Sequence, residues 1–156
     1  THFTSPIRRY PDLAIHRILT SYLSGMPKDK LLKRYGSFVP AASKNSSQME
    51  VNAMNIERDC EDCYKAEYMS HYIGEVFTGR ITGVTNYGFY VELPNSVEGM
   101  VSVRDLPMGD YLLEDNIQLK ETRRGMFYRI GQECTVRVAS VDVSAGQVNF
   151  VLASKA

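Results

Sequence analysis

Residues 77–93 read Phe77-Thr78-Gly79-Arg80-Ile81-Thr82-Gly83-Val84-Thr85-Asn86-Tyr87-Gly88-Phe89-Tyr90-Val91-Glu92-Leu93. Phe77, Gly79 and Ile81 fall on one side of an extended chain, and Thr78, Arg80 and Thr82 on the other. After the Asn86-Tyr87-Gly88 turn, Phe89, Val91 and Leu93 alternate with Tyr90 and Glu92. A period of two marks strands with one face buried. It recurs in Cys134, Val136 and Val138 against Thr135 and Arg137, and in Val148, Phe150 and Leu152 against Gln147 and Asn149. Leu93-Pro94-Asn95-Ser96 and Ser144-Ala145-Gly146 supply turn chemistry. Gly99 to Val103 adds a further strand.

Five short strands of this kind predict a small closed antiparallel β-barrel of the oligonucleotide-binding (OB) type, filled by its inward residues and free to work with its outward ones. Tyr90 lies between two residues that must point inward, so its ring is expected outside, next to Tyr87 of the preceding turn. Arg80, Arg137 and Asn149 are expected to share that face. Rings among cationic and amide groups suit the stacking of single-stranded nucleic acid, at roughly 1–3 kcal/mol per base. The long connection from Pro107 to Gly131 carries Arg123, Arg124 and Arg129, and a hairpin is expected about Thr122-Arg123-Arg124-Gly125.

Up to Gly74 the period is helical instead. Asp12 precedes apolar Leu13, Ile15, Ile18, Leu19, Tyr22 and Leu23, with Gly25 and Pro27 as stop signals. A shorter helix is predicted over Lys28 to Tyr35, ending at Gly36. A longer one is predicted from Ser47, where Ser47 and Glu50 have capping-box spacing and no Gly or Pro intervenes before Gly74. The fold class is therefore α+β, with a helical region over 1–74 and the barrel over 75–156.

Composition narrows the function classes. Lys plus Arg and Asp plus Glu both number 18, so any polyanion site is local and not the product of bulk charge. No apolar run is long enough to span a bilayer, and the first residues lack a secretory pattern, so a cytoplasmic location with no membrane partner is expected. Three cysteines exclude a complete intramolecular disulfide framework. The chain opens on Thr1 rather than Met, which reads as a fragment.

At the other end, Thr4-Ser5-Pro6-Ile7-Arg8-Arg9-Tyr10-Pro11-Asp12-Leu13 sets two arginines and a tyrosine on a proline-bounded turn before a helix. Guanidinium groups bind phosphate bidentately and stay charged. Together with Ala14-Ile15-His16-Arg17, this run resembles the closing signature of the RNB exoribonuclease domain. Gly79-Arg80-Ile81-Thr82-Gly83-Val84, Tyr87 to Leu93, Val97-Glu98-Gly99-Met100-Val101-Ser102-Val103 and Ile130 to Val138 resemble the first four strands of an S1 RNA-binding domain. The helical region is then an incomplete RNB domain.

The resemblance implies a bacterial exoribonuclease that hydrolyses RNA from its 3′ end to nucleoside monophosphates with Mg2+. It assigns Arg8 to phosphates near the scissile bond and Glu57 to the terminal nucleotide. Arg9, beside Arg8, is either a further RNA contact or simply a salt-bridge partner. On the barrel it implies RNA contacts by Tyr87 and Tyr90, with Ser102 and Asn149 where the family has a histidine and a basic residue. The metal-binding aspartates of the family would precede Thr1, which implies that the isolated chain binds no Mg2+ and does not cut RNA. The competing reading is a non-catalytic S1-type RNA-binding adaptor whose helices dock a partner.

Other motifs read as structural. Cys60-Glu61-Asp62-Cys63 lies within a predicted helix and lacks a second ligand pair for zinc. Asp59, Glu61 and Asp62 read as a solvated acidic surface, and His2 and His16 as structural or exposed. Met49, Met54, Met69, Tyr64, Tyr68 and Tyr72 are expected to pack the long helix. Apolar helical surface left uncovered would favour a homodimer.

Overall fold

The computed structural model describes residues 3–153; His2 lies outside them. The chain divides into two compact units between Glu57 and Arg58.

The first unit holds α1 (Tyr10–Leu23), α2 (Lys28–Tyr35) and the opening part of α3 (Phe38–Ser70). Helix α1 begins before Asp12, because extended Arg9 (φ −122°) precedes it and Pro11 sits in its first turn, where a missing N–H costs nothing. Gly25, at φ 81°, takes the left-handed conformation that ends α1. Helix α2 has the predicted bounds. Helix α3 departs from expectation: it starts at Phe38 and runs 33 residues, so Ser47 and Glu50 lie inside it. Pro40 falls in its first turn, which tolerates proline, and nothing from Ala41 to Gln48 breaks a helix. Phe38 meets the rings of Tyr10 and Tyr35 at centroid distances of 6.5 and 6.3 Å. Met49 and Met54 are about half exposed rather than packed.

The second unit begins with the last turns of α3 and continues into β1 (Val76–Thr85), β2 (Gly88–Glu92), β3 (Glu98–Ser102), β4 (Tyr111–Glu114), β5 (Gln118–Glu121), β6 (Phe127–Arg129), β7 (Glu133–Asp142) and β8 (Gln147–Leu152). The closed barrel runs β1-β2-β3-β8-β7. Its alternation is as predicted: Phe89, Val91, Val101, Val136, Val138 and Phe150 are inside. Ala66 and Met69 of α3 are fully buried in the same core, and Tyr72 packs against it; Tyr64 and Tyr68 stay exposed. Gly99 is fixed by this packing, since a Cβ there would sit 2.4 Å from the Phe150 ring.

The barrel is mixed and not purely antiparallel. Strands β3 and β8 pair in parallel, Met100 opposite Asn149 and Val101 opposite Phe150, while the other four contacts are antiparallel. The cause is a parity rule: directions can alternate all round a closed ring only when the strand number is even. Five strands force at least one parallel pair.

The connection over 107–131 is folded. β4, β5 and β6 make a second antiparallel sheet. Asp115 and Asn116, at φ 53° and 55°, form the β4–β5 turn, and residues 122–125 form the expected β5–β6 turn. Leu119 is buried with the barrel core, and Tyr128 stacks on Phe89 at 4.8 Å. Glu121, 1% exposed, anchors the second turn by accepting from the Arg124 backbone N–H.

Cys134, half-buried on β7, has its thiol pushed up to about 11 by burial. Two outcomes are expected. Alkylation at neutral pH modifies exposed Cys60 well before Cys134, as peptide mapping will show. As pH rises from the ordinary value of 9.0 towards 11, the unfolded chain releases a proton that the folded chain keeps, so stability falls across that window. Equal labelling of both thiols in the folded protein would contradict this.

Candidate nucleic-acid interface

Alternation on β2, with Phe89 and Val91 fully buried, turns Tyr90 outward. Register then extends a row across the barrel: Tyr90 lies opposite Met100 on β3, Met100 opposite Asn149 on β8, and Asn149 opposite Ser140 on β7. The Asn149 amide donates to the Ser140 hydroxyl at 3.2 Å. Tyr87, more than half exposed in the turn before β2, stands at one end. Burial raises the Tyr90 phenol above its ordinary value, and the adjoining Tyr87 hydroxyl and Glu98 carboxylate add to the shift. Tyr90 thus stays neutral across physiological pH.

These side chains line a groove of about 360 Å³, with Asp62, Glu98, Gly99 and the β7–β8 turn residues Gly146 and Gln147. Gly146 is left-handed (φ 63°), and a Cβ on it would lie 3.0 Å from Asp62 Cβ; glycine there lets α3 approach the turn closely. The charged residues lining the groove are both acidic.

Sequence reasoning found Tyr87, Tyr90 and Asn149, and the structure brings them together. It missed Met100 and Gln147, which occupy outward positions on strands already recognised, and Glu98. Asp59, Glu61 and Asp62 are exposed as expected, and Asp62 also lines the groove. No sequence signal could have shown that, because the contact depends on how α3 meets a turn more than 80 residues later.

The other residues predicted for the barrel face, Arg80, Arg137 and Ser102, do not line this groove. Arg80 lines a separate groove with Glu92 and Glu133 and sits 3.9 Å from the Glu133 carboxylate. Arg137 is exposed on β7, opposite Val76. Both stand on strands that neighbour the row but are displaced along them, Arg80 opposite Glu92, two residues on from Tyr90, and Arg137 opposite Val151, two residues on from Asn149. Ser102 caps the short 3-10 helix Val103–Asp105, its hydroxyl accepting from Arg104 N–H at 3.3 Å. Arg104 is exposed next to Val103, whose N–H donates to the Tyr87 carbonyl at 2.9 Å.

In the first unit Arg8 is exposed, and among the described residues its guanidinium makes no hydrogen bond or ion pair. Arg9 is held: it donates to the Asp12 carboxylate at 2.9 Å, and that carboxylate, fully buried, also accepts from Ser5 N–H at 2.7 Å. The ion pair closes the turn on which Arg8 is displayed. His16 stacks on Phe3 at 4.5 Å and bonds its carbonyl, a structural use. Glu57 is exposed on α3, about 28 Å along the axis from Phe38 at 1.5 Å per residue, whereas Tyr10 touches Phe38. Arg8 and Glu57 are therefore not adjacent. Among the described residues no three carboxylate, histidine or cysteine groups converge as a metal site.

Comparison with known proteins follows the same division. A family model described as S1 RNA binding domain matches residues 70–152, and one described as RNB domain matches residues 1–25. Ribonuclease R 1 of Lactococcus lactis is 38% identical over 152 residues, covering 96% of this chain. The apo form of Mycoplasma genitalium RNase R superposes with a TM-score of 0.89 at 27% identity over 98% of the chain, and the same enzyme with ribose-methylated single-stranded RNA with a TM-score of 0.88 at 26% identity. The chain spans only 18% of the length of the first relative and 24% of the apo enzyme chain. No helix among the described residues is long and apolar enough to cross a membrane.

Proposed function

Because the chain belongs to the S1 RNA-binding domain family over residues 70–152 and matches ribonuclease R along nearly its whole length, we propose that it is the RNA-holding part of a 3′-to-5′ exoribonuclease. The observation that carries this reading is the Tyr87–Tyr90 groove with Met100 and Asn149 in register beside it. Flat rings on a rigid barrel can stack any base of a single strand, so the contact persists as an enzyme passes along RNA. Arg104, beside the Tyr87 end, supplies a cation for the backbone.

Arg8 and Glu57 act at separate points on the RNA: Arg8 holds a phosphate near the reacting bond, and Glu57 contacts the terminal nucleotide. The Arg9–Asp12 pair, its carboxylate buried, orients the Arg8 turn. Release of nucleoside 5′-monophosphates is the activity of the parent enzyme in which these residues work. In that full-length enzyme, Arg8→Ala is expected to lower kcat about a hundredfold, the usual cost of one lost charge-stabilising donor, while RNA affinity changes by less than about threefold. Single-turnover kinetics alongside equilibrium binding separates the two. An equal loss in both would remove Arg8 from the reacting end.

A further inference from the structure

We infer that Asp62, with Glu98 of the same lining, makes the Tyr87–Tyr90 groove selective for guanine over uracil. The inference rests on the groove being an RNA-binding site. Both charged side chains that line it are carboxylates, an arrangement that repels phosphate and therefore turns the strand so that a base, not the backbone, enters. A base stacked on Tyr90 presents its edge to the groove walls.

Carboxylates only accept hydrogen bonds, so the edge they favour is the one richest in N–H groups. Guanine offers N1–H and the N2 amino group side by side, a pair that matches the two oxygens of one carboxylate, with the added strength of a charged acceptor. Uracil offers a single N3–H between two carbonyl oxygens, which a carboxylate repels. Cytosine and adenine, each with one amino group, fall between. Glu98 is partly engaged, accepting from the Thr82 hydroxyl. Asp62 is the freer acceptor: exposed, with no hydrogen bond or ion pair among the described residues, on a helix whose approach is set by Gly146.

The test uses the whole chain, a dye-labelled uridine oligomer, and the same oligomer with one central guanosine. Wild type should bind the guanosine oligomer about tenfold more tightly, the scale of one bidentate base contact. Asp62→Ala should abolish that preference while uridine binding stays equal or tightens, and Asp62→Glu should restore part of it. If wild type binds both oligomers alike, and Tyr90→Ala abolishes both, the groove reading stands and the selectivity is overturned. A uniform tightening of both oligomers in Asp62→Ala would likewise overturn it, leaving simple repulsion. Failure of wild type to bind either oligomer would overturn the groove reading itself.

Discussion

Tyr90→Ala is expected to weaken binding of single-stranded RNA to this chain by about tenfold or more. Base stacking on an aromatic side chain contributes about 1–3 kcal/mol per base, and about 1.4 kcal/mol is a factor of ten in affinity. The ring stands on the outer face, between two residues that form the core, so its removal empties no cavity and the thermal midpoint should barely move. Tyr90→Phe keeps the ring and should keep affinity within about twofold. Arg80→Ala provides the contrast, because Arg80 lies in a different groove beside Glu133; its loss should matter little. Fluorescence anisotropy with a labelled oligoribonucleotide measures all three. Unchanged affinity in Tyr90→Ala would remove the groove from RNA binding.

Arg9→Ala is expected to destabilise the turn before α1 by about 3 kcal/mol, the scale for removing one partner of a buried ion pair. The penalty arises on the other side of the pair: Asp12 is fully buried, whereas the Arg9 side chain is 30% exposed. Hydrogen exchange across residues 10–16 should accelerate strongly, with protection in the barrel unchanged. Arg8→Ala, which removes an exposed side chain, should leave exchange as it was. The adjacent arginines thus differ in kind, one holding the turn and the other displayed by it. Equal exchange in Arg9→Ala and wild type would contradict that division.

Much of this was legible from periodicity. The barrel strands follow the alternation of Phe89, Val91, Val136, Val138 and Phe150, since burial of one strand face is a local property written at every second residue. Helix α2 was bounded correctly by its stop signal at Gly36. The long-range features were not legible. Parallel pairing of β3 with β8 is imposed by ring closure, which no residue encodes. The start of α3 was misplaced because a capping box also fits inside a helix, where Ser47 and Glu50 are merely compatible residues. The β4–β6 sheet was half seen: the turn at Thr122 to Gly125 carries glycine, while Asp115-Asn116 takes the left-handed conformation without one.

The candidate site shows the same limit. Tyr90 could be found because its neighbours fix its direction. Arg80 and Arg137 could not be placed, since alternation says outward but not the register that sets Arg80 opposite Glu92 and Arg137 opposite Val151. Asp62 reaches the groove only through the packing of α3 on the Gly146 turn.

The central claim is that RNA lies along the row from Tyr87 and Tyr90 through Met100 to Asn149. The most direct measurement is a nuclear magnetic resonance titration of the chain with a short single-stranded RNA, following backbone amides, the methionine methyls and the asparagine side-chain amides. Shifts are expected to concentrate at Tyr87, Tyr90, Met100 and the Asn149 amide, with Arg80 and Glu133 unmoved. Shifts centred on Arg80 and Glu133, or none along β2, β3 and β8, would contradict it.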